Sequence, residues 1–377
     1  MSETASIPRE PVTSEFRRRL ARAASQAGIA GIDALLISPG PDLRYLTGYK
    51  ANALERLTCL IVPAEGVPQL VVPQLEVPAA AASRVGELDL EVIGWRETED
   101  SYALVRSLLI NPLVVAVDDQ MWAVKALALR AAMPGVDQVA AGRVMRELRM
   151  RKSPMEVAAL RRAGAAIDAV HAQVAGWLRP GRSENEVGRD IASAISVEHE
   201  SVDFIIVGSG PNGASPHADT SERVLQAGDI VVVDIGGMMP DGYRSDSTRV
   251  YSIGQPSPEF EHDYAVLLDA QQAATAAAVP GATCEEVDAT ARRTLTEHGL
   301  GKLFIHRTGH GIGLETHEDP YIVEGNDLPL EPGMAFSIEP GFYRENLWGA
   351  RIEDIVVCSD EGPIVCNNRP RELAIIE

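Results

Sequence analysis

The apolar positions of this chain change their spacing about two-fifths of the way along. Short apolar runs at 34–37, 58–62, 70–72, 92–93 and 113–117 read as strands, and they alternate with helical stretches at 79–84, 103–109 and 123–133. Ahead of them, Arg17, Arg18, Arg19 and Arg22 are interleaved with Phe16, Leu20 and Ala24, the pattern of an amphipathic helix over 16–27. Strands alternating with helices predict an α/β domain over 13–145, preceded by a polar, proline-bearing stretch 1–12 expected to be disordered. This first domain has no histidine and no clustered interior acids, so it is expected to support rather than to react.

A basic run, 143–152, then separates two compositions and reads as a solvated helix face, with a partner site as the alternative. Ser153-Pro154 opens an Ala-rich helix, with proline at an early position where its missing N–H costs nothing. Helices at 154–177 and 184–198 precede strands at 204–207, 230–234 and 247–251. Helices at 258–278 and 285–298 precede strands at 335–339, 350–358, 363–366 and 372–376. Helices followed by strands, twice over, predict two related α+β halves within a second domain, 146–377.

Composition narrows the classes. The 377 residues exceed one typical domain, and 45% hydrophobic content suffices for a buried core. No run of about 20 apolar residues occurs, so no membrane span is expected. A net charge of -20, from 34 basic and 54 acidic residues, argues against nucleic-acid partners. Residues 1–8 lack a basic segment leading into an apolar core, so no signal peptide is read and the expected location is the cytoplasm. Cys59, Cys284, Cys358 and Cys366 form no CxxC pair. Cys358 and Cys366 are placed to face each other across a hairpin, but reduced, buried thiols are the expectation.

The chemistry lies in the second domain. Asp234 ends the run Ile230–Val233, Glu339 follows Ala335–Ile338, and Glu353 precedes an apolar segment. A carboxylate inside a buried strand is costly unless a cation compensates it. With Asp246, and His310 in a glycine-rich loop, these form a candidate divalent-metal set. A Pro-Asp-Gly turn predicts a hairpin that sets Asp234 beside Asp246, where two carboxylates repel unless protonated or bridged by cations. The structural alternatives are Asp234 pairing with Arg249 and Arg351 neutralising Glu353, two positions along one strand. Asp354 points the other way. His306, His310 and His317 fall within twelve residues, among glycines that permit close backbone approach to a ligand.

At these residues the chain resembles the pita-bread metallopeptidases, specifically the Xaa-Pro dipeptidases (prolidases) and Xaa-Pro aminopeptidases. The matching segments are DIGGMMPDGYRSDSTR (234–249), HRTGHGIGLETHEDP (306–320), SIEPGFY (337–343) and GARIEDIVV (349–357), with GPNGASPH (210–217) ahead of them. The segment DALLISPGPDLRYLTGY (33–49) is similar to the creatinase-type N-terminal domain that accompanies them. The resemblance implies that Asp234, Asp246, His310, Glu339 and Glu353 hold two divalent metals, with His217, His306, His317, Tyr343 and Arg351 around them. Oxygen-rich ligation with one histidine suits Mn²⁺, Co²⁺ or Fe²⁺, with Zn²⁺ possible.

The reaction implied is hydrolysis of an Xaa-Pro bond by a metal-bridged hydroxide. Glu339 shuttles the proton, His217 and His317 stabilise the gem-diolate, and Arg351 either anchors a substrate carboxylate or orients Glu353. His306 counts among the catalytic residues, and Tyr343 joins His217 and Arg351 in binding substrate. Dipeptidase and aminopeptidase remain open, the length leaning to the former; a catalytically silent pita-bread binding protein is the alternative of another class. A homodimer acting on proline-containing di- or oligopeptides is also implied. One departure stands out: Asp234 and Asp246 are twelve apart, one more than the family pattern commonly has, and the extra residue is expected to bulge the turn at 238–240.

Overall fold

The computed structural model describes residues 9–377, so most of the stretch expected to be disordered, residues 1–8, lies outside the described residues. The remainder of that stretch is not loop: helix α1 (Arg9–Ile29) begins there and runs past both ends of the predicted helix. The chain divides into two compact units, one ending at Arg149 and the other spanning Met150–Glu377, and the division falls inside the basic run.

The first unit is built on strands β1 (Ala34–Ile37), β2 (Cys59–Pro63), β3 (Gln69–Pro73), β4 (Glu91–Trp95), β5 (Val114–Val117) and β6 (Asp137–Ala140). They form one mixed sheet in the order β4-β3-β2-β1-β5-β6, with helices α2 (Pro41–Thr47), α3 (Val77–Ala82), α4 (Ser101–Leu108) and α5 (Ala123–Ala132) between strands. Fully buried Ala34, Leu36, Cys59 and Val71 carry its core. Helix α6 (Gly142–Met150) occupies most of the basic run. It is not simply a solvated face: Val144, Met145 and Leu148 are buried, and Arg149 donates to Asp42 at 2.8 Å.

The second unit contains helices α7 (Pro154–Val174), α8 (Glu184–Ile195), α9 (Pro258–Ala277) and α10 (Cys284–Glu297). Its strands are β7 (Ser201–Ser209), β8 (Ile230–Met238), β9 (Arg244–Ile253), β10 (Gly309–Gly311), β11 (Glu318–Ile322), β12 (Ala335–Ile338), β13 (Gly341–Arg344), β14 (Trp348–Arg351), β15 (Asp354–Val357), β16 (Ile364–Val365) and β17 (Ala374–Ile376). They make a four-stranded sheet β17-β9-β8-β7, a five-stranded sheet β11-β10-β12-β15-β16 and the hairpin β13-β14. Apolar residues of α7 and α8 pack on the first sheet, and those of α9 and α10 on the second.

The two halves repeat each other residue by residue at one point. Pro180-Gly181-x-Ser183-x-x-Glu186 and Pro280-Gly281-x-Thr283-x-x-Glu286 each end in a capping box, where the hydroxyl takes the N–H three residues on and the glutamate returns to the cap N–H. Gly181 and Gly281 both sit at positive φ, 93° and 88°, a region that favours glycine.

One expectation needs correction. The predicted strand 350–358 is two strands in different sheets, β14 and β15, so Arg351 ends one strand while Glu353 lies in the two-residue link. The extra residue leaves the ladder undisturbed, β8 and β9 pairing in constant register from Ile230↔Ser252 to Met238↔Arg244, so the expected bulge in the turn is neither required nor contradicted by the ladder. Cys358 and Cys366 do not pair, and all four cysteines are free, buried thiols.

Candidate metal centre

Asp234 stands in the middle of β8, between fully buried Val233 and Ile235, rather than at its end. Across the ladder it faces Thr248, while Asp246 faces Gly236. Because side chains alternate along a strand, Asp234, Asp246 and Thr248 share one face, the two aspartates lying diagonally rather than directly opposite. A Cβ at Gly236 would stand 2.4 Å from the Phe204 ring, so the position facing Asp246 has no room for a side chain.

His310 is the centre of β10, a three-residue strand between β11 and β12. Its neighbours are glycine for the sake of those strands and not of a ligand. A Cβ at Gly309 would lie 1.8 Å from the Ser337 carbonyl oxygen, and one at Gly311 would lie 2.3 Å from that of Asp319. His310 Nδ1 is 3.1 Å from the Gly311 carbonyl, which places the N–H there and leaves Nε2 facing the acids. Nε2 lies 3.2 Å from Glu339 Oε1 and 3.7 Å from Asp246 Oδ2.

Glu339 leaves the end of β12, where its Oε1 accepts from Ser337 Oγ at 3.0 Å and its backbone N–H donates to Thr308 O at 2.8 Å. Glu353 is steered by Thr248, whose hydroxyl donates to its Oε2 at 2.8 Å. Ligand atoms of Asp246, His310 and Glu353 all lie within 4.8 Å of one another.

Arg351 knits the set together. Its Nη2 bonds Asp234 Oδ2, its Nε donates to Thr248 Oγ at 3.1 Å, and its Nη1 donates to Tyr343 OH at 2.7 Å and Pro216 O at 3.3 Å. The structural alternatives are thereby overturned. Arg249 pairs with Asp354, which does point away, and Arg351 pairs with Asp234, while its hydrogen-bond link to Glu353 runs through Thr248.

The electrostatics are those of a site short of positive charge. Burial, then the repulsion of Asp234 and Glu339, pushes Asp246 well above the usual carboxylate range. Burial, then Asp246, Glu339 and Asp234, does the same to Glu353. Among the described residues, Asp234 Oδ1 is buried with no hydrogen-bond partner. An orphaned acceptor beside mutually repelling carboxylates and one imidazole fits a hard or borderline divalent cation.

The centre floors a cavity of about 790 Å³, which His217, His306 and His317 also line. The His317 ring lies 4.0 Å from that of His310, and burial, then His310, lowers its pKa to about 4. Burial also lowers His306, whose Nε2 is 2.9 Å from Tyr343 OH. Nine of the ten residues singled out in the sequence line this cavity, and Tyr343 touches it through its hydroxyl contacts. Thr248 and Ser337 went unnoticed, although each lies two residues from an acid in a strand, the spacing that puts both on one face.

A buried, carboxylate-rich, single-histidine set at the base of a cleft, on this two-unit fold, is the centre of a metal-dependent hydrolase. Residues 158–360 match the model of metallopeptidase family M24, and residues 19–151 match that of the creatinase/prolidase N-terminal domain; the chain belongs to this family. It is 53% identical over 363 residues, 96% of each chain, to the probable dipeptidase PepE of Mycobacterium tuberculosis. It is 36% identical to the Xaa-Pro dipeptidase of Lactobacillus helveticus, covering 91% of this chain and 95% of that one. The crystal structure of dipeptidase PepE from Mycobacterium ulcerans superposes with a TM-score of 0.92 at 52% identity, over 97% of this chain and 98% of that one.

Proposed function

We propose that this metallopeptidase hydrolyses the Xaa-Pro bond of dipeptides, with two divalent cations, manganese first among them, held by Asp234, Asp246, His310, Glu339 and Glu353. The observation that carries the reading is the packing of four carboxylates around His310, with Asp234 Oδ1 left without a partner among the described residues. When bound, the cations supply Lewis acidity, lowering the pKa of water and polarising the scissile carbonyl. Glu339 takes the proton of the attacking water and delivers it to the imide nitrogen of the leaving proline. His217 and His317, on the cavity wall, donate to the oxygens that gain charge.

Arg351 is an orienting residue in this reading. Its three nitrogens are already engaged by Asp234, Thr248, Tyr343 and Pro216, which leaves it poorly placed to anchor a substrate carboxylate. Dipeptides are preferred over longer substrates because the relatives described above are named dipeptidase and Xaa-Pro dipeptidase. Four buried free thiols accord with a reducing, cytoplasmic setting, and the active form is read as a homodimer. Hydrolysis of Ala-Pro set beside Xaa-Pro-Xaa tripeptides, under defined Mn²⁺, tests the substrate. Faster cleavage of the tripeptides would make the protein an aminopeptidase instead. Sedimentation of the Mn²⁺-loaded protein tests the dimer.

A further inference from the structure

Helix α10 holds Asp288 and Arg292 one turn apart, and Asp288 is 1% exposed. They form a bidentate pair, Nε to Oδ2 at 2.8 Å and Nη2 to Oδ1 at 2.9 Å. An exposed pair at this spacing is an ordinary helix feature. This one does more, because both partners spend their remaining hydrogen bonds on the backbone leading into β10. Arg292 donates to Phe304 O at 3.3 Å and to His306 O at 2.8 Å, and Asp288 Oδ1 accepts the Thr308 N–H at 3.0 Å. Three alternate residues, centred on His306, are thus gripped from one helix.

The grip reaches the ring as well. The Arg292 guanidinium lies 4.3 Å over the Phe304 ring, and that ring stands edge-on to the His306 imidazole at 5.0 Å. Beyond the imidazole the hydrogen bonds have one direction. Arg351 can only donate, so Tyr343 OH accepts from it at 2.7 Å and is left to donate to His306 Nε2 at 2.9 Å. His306 Nδ1–H then goes to Arg307 O at 2.8 Å. Thr308 O, the carbonyl of the residue whose N–H Asp288 holds, accepts the Glu339 N–H. In the other half of the repeat, 100 residues earlier, the corresponding positions are Gly188 and Ala192, which cannot make such a pair. The pair therefore belongs to the half that carries the histidine loop.

The geometry points to Asp288 and Arg292 as a positioning pair that sets the His306 imidazole, and the backbone of Glu339, for peptide hydrolysis; the inference rests on the peptidase reading above. The test uses the Mn²⁺-loaded full chain with Ala-Pro, and the variants Arg292→Ala, Arg292→Lys and His306→Ala, with Arg293→Ala as control on the same helix. Arg292→Ala lowers kcat by about tenfold to a hundredfold, as misplacement of a site group does, with KM moving far less. Arg292→Lys recovers part of the loss and Arg293→Ala loses nothing. In the His306→Ala background, Arg292→Ala costs clearly less of kcat than in the wild type, the remainder acting through the Glu339 backbone. A loss that multiplies undiminished onto His306→Ala, or one matched by Arg293→Ala, overturns the assignment. Backbone hydrogen exchange at 304–308, which needs no substrate, is faster in Arg292→Ala than in the wild type. Unchanged protection there refutes the clamp by itself, whereas absence of Ala-Pro turnover in the wild type refutes the peptidase reading and not the clamp.

Discussion

Arg351, at the end of β14, bonds one carboxylate oxygen of Asp234, in the middle of β8, and the other oxygen of Asp234 is buried with no partner among the described residues. One side of that carboxylate is anchored by protein and the other is free for a ligand. Binding at the free side stabilises the folded state by mass action, about 2.7 kcal/mol when Mn²⁺ is at a hundred times its dissociation constant. Calorimetry after chelation and after Mn²⁺ readdition is expected to show a midpoint several degrees higher with metal. A midpoint indifferent to Mn²⁺ would sink the metal assignment.

Glu339→Gln keeps the size of the side chain and its bond from Ser337, so the fold should hold, with the midpoint lowered only as far as a lost ligand weakens Mn²⁺ binding. Loss of the proton carrier should lower kcat by roughly 10²–10⁴-fold. Near-native turnover of Ala-Pro by this variant would remove Glu339 from the proton path.

The raised carboxyls of Asp246 and Glu353 give a pH signature in chelator. A carboxyl raised on folding binds more protons in the native than in the unfolded state, so its contribution to stability falls as pH climbs from the ordinary carboxylate range towards the raised value. Asp246→Asn removes that liability. In urea titrations without metal, the variant should gain on the wild type as pH rises from mildly acidic to neutral, and with Mn²⁺ the order should reverse because a ligand is gone. A gain that shrinks with rising pH would contradict the assignment.

Gly309→Ala places a methyl group where only backbone fits, 1.8 Å from the Ser337 oxygen. Overpacking of this kind costs about 1–3 kcal/mol. Because β10 must shift away from β12, Mn²⁺ affinity should fall together with stability, and isothermal titration would measure it. Wild-type affinity in a folded Gly309→Ala protein would show that β10 does not set His310.

Long, uniformly apolar segments such as Ile230–Val233 were legible in the sequence, as were the acids that interrupt or border them, because burial selects both the strand and the need for a cation. What escaped notice was structure held by context. Strand β10 is Gly-His-Gly, a poor strand former on its own, and it exists because β11 and β12 close on it from both sides. Hairpin β13-β14 turns through Asn346 at positive φ (61°) with no apolar run to announce it. Joining its second strand to β15 in the reading of the sequence put Arg351 and Glu353 on one face, whereas Thr248 is what connects them. The basic run 143–152 was read as a helix face, and helix α6 lies there, but the burial of Val144, Met145 and Leu148 was not legible, since these apolar residues are interleaved with arginines.

The unbroken β8–β9 ladder has a consequence for variation in the chain. Cross-strand registry, set by which face of each strand is buried, fixes where Asp234 and Asp246 sit, while residues 239–243 return the chain, with buried Tyr243 bonded to Glu156 and Asp241 paired with Arg162. Loop length there is decoupled from ligand spacing, so residues can be gained or lost in the turn while the two aspartates stay where they are. The exposed tip of that turn, at Pro240 and Asp241, is a place where an inserted label or an altered surface should be tolerated without touching the chemistry.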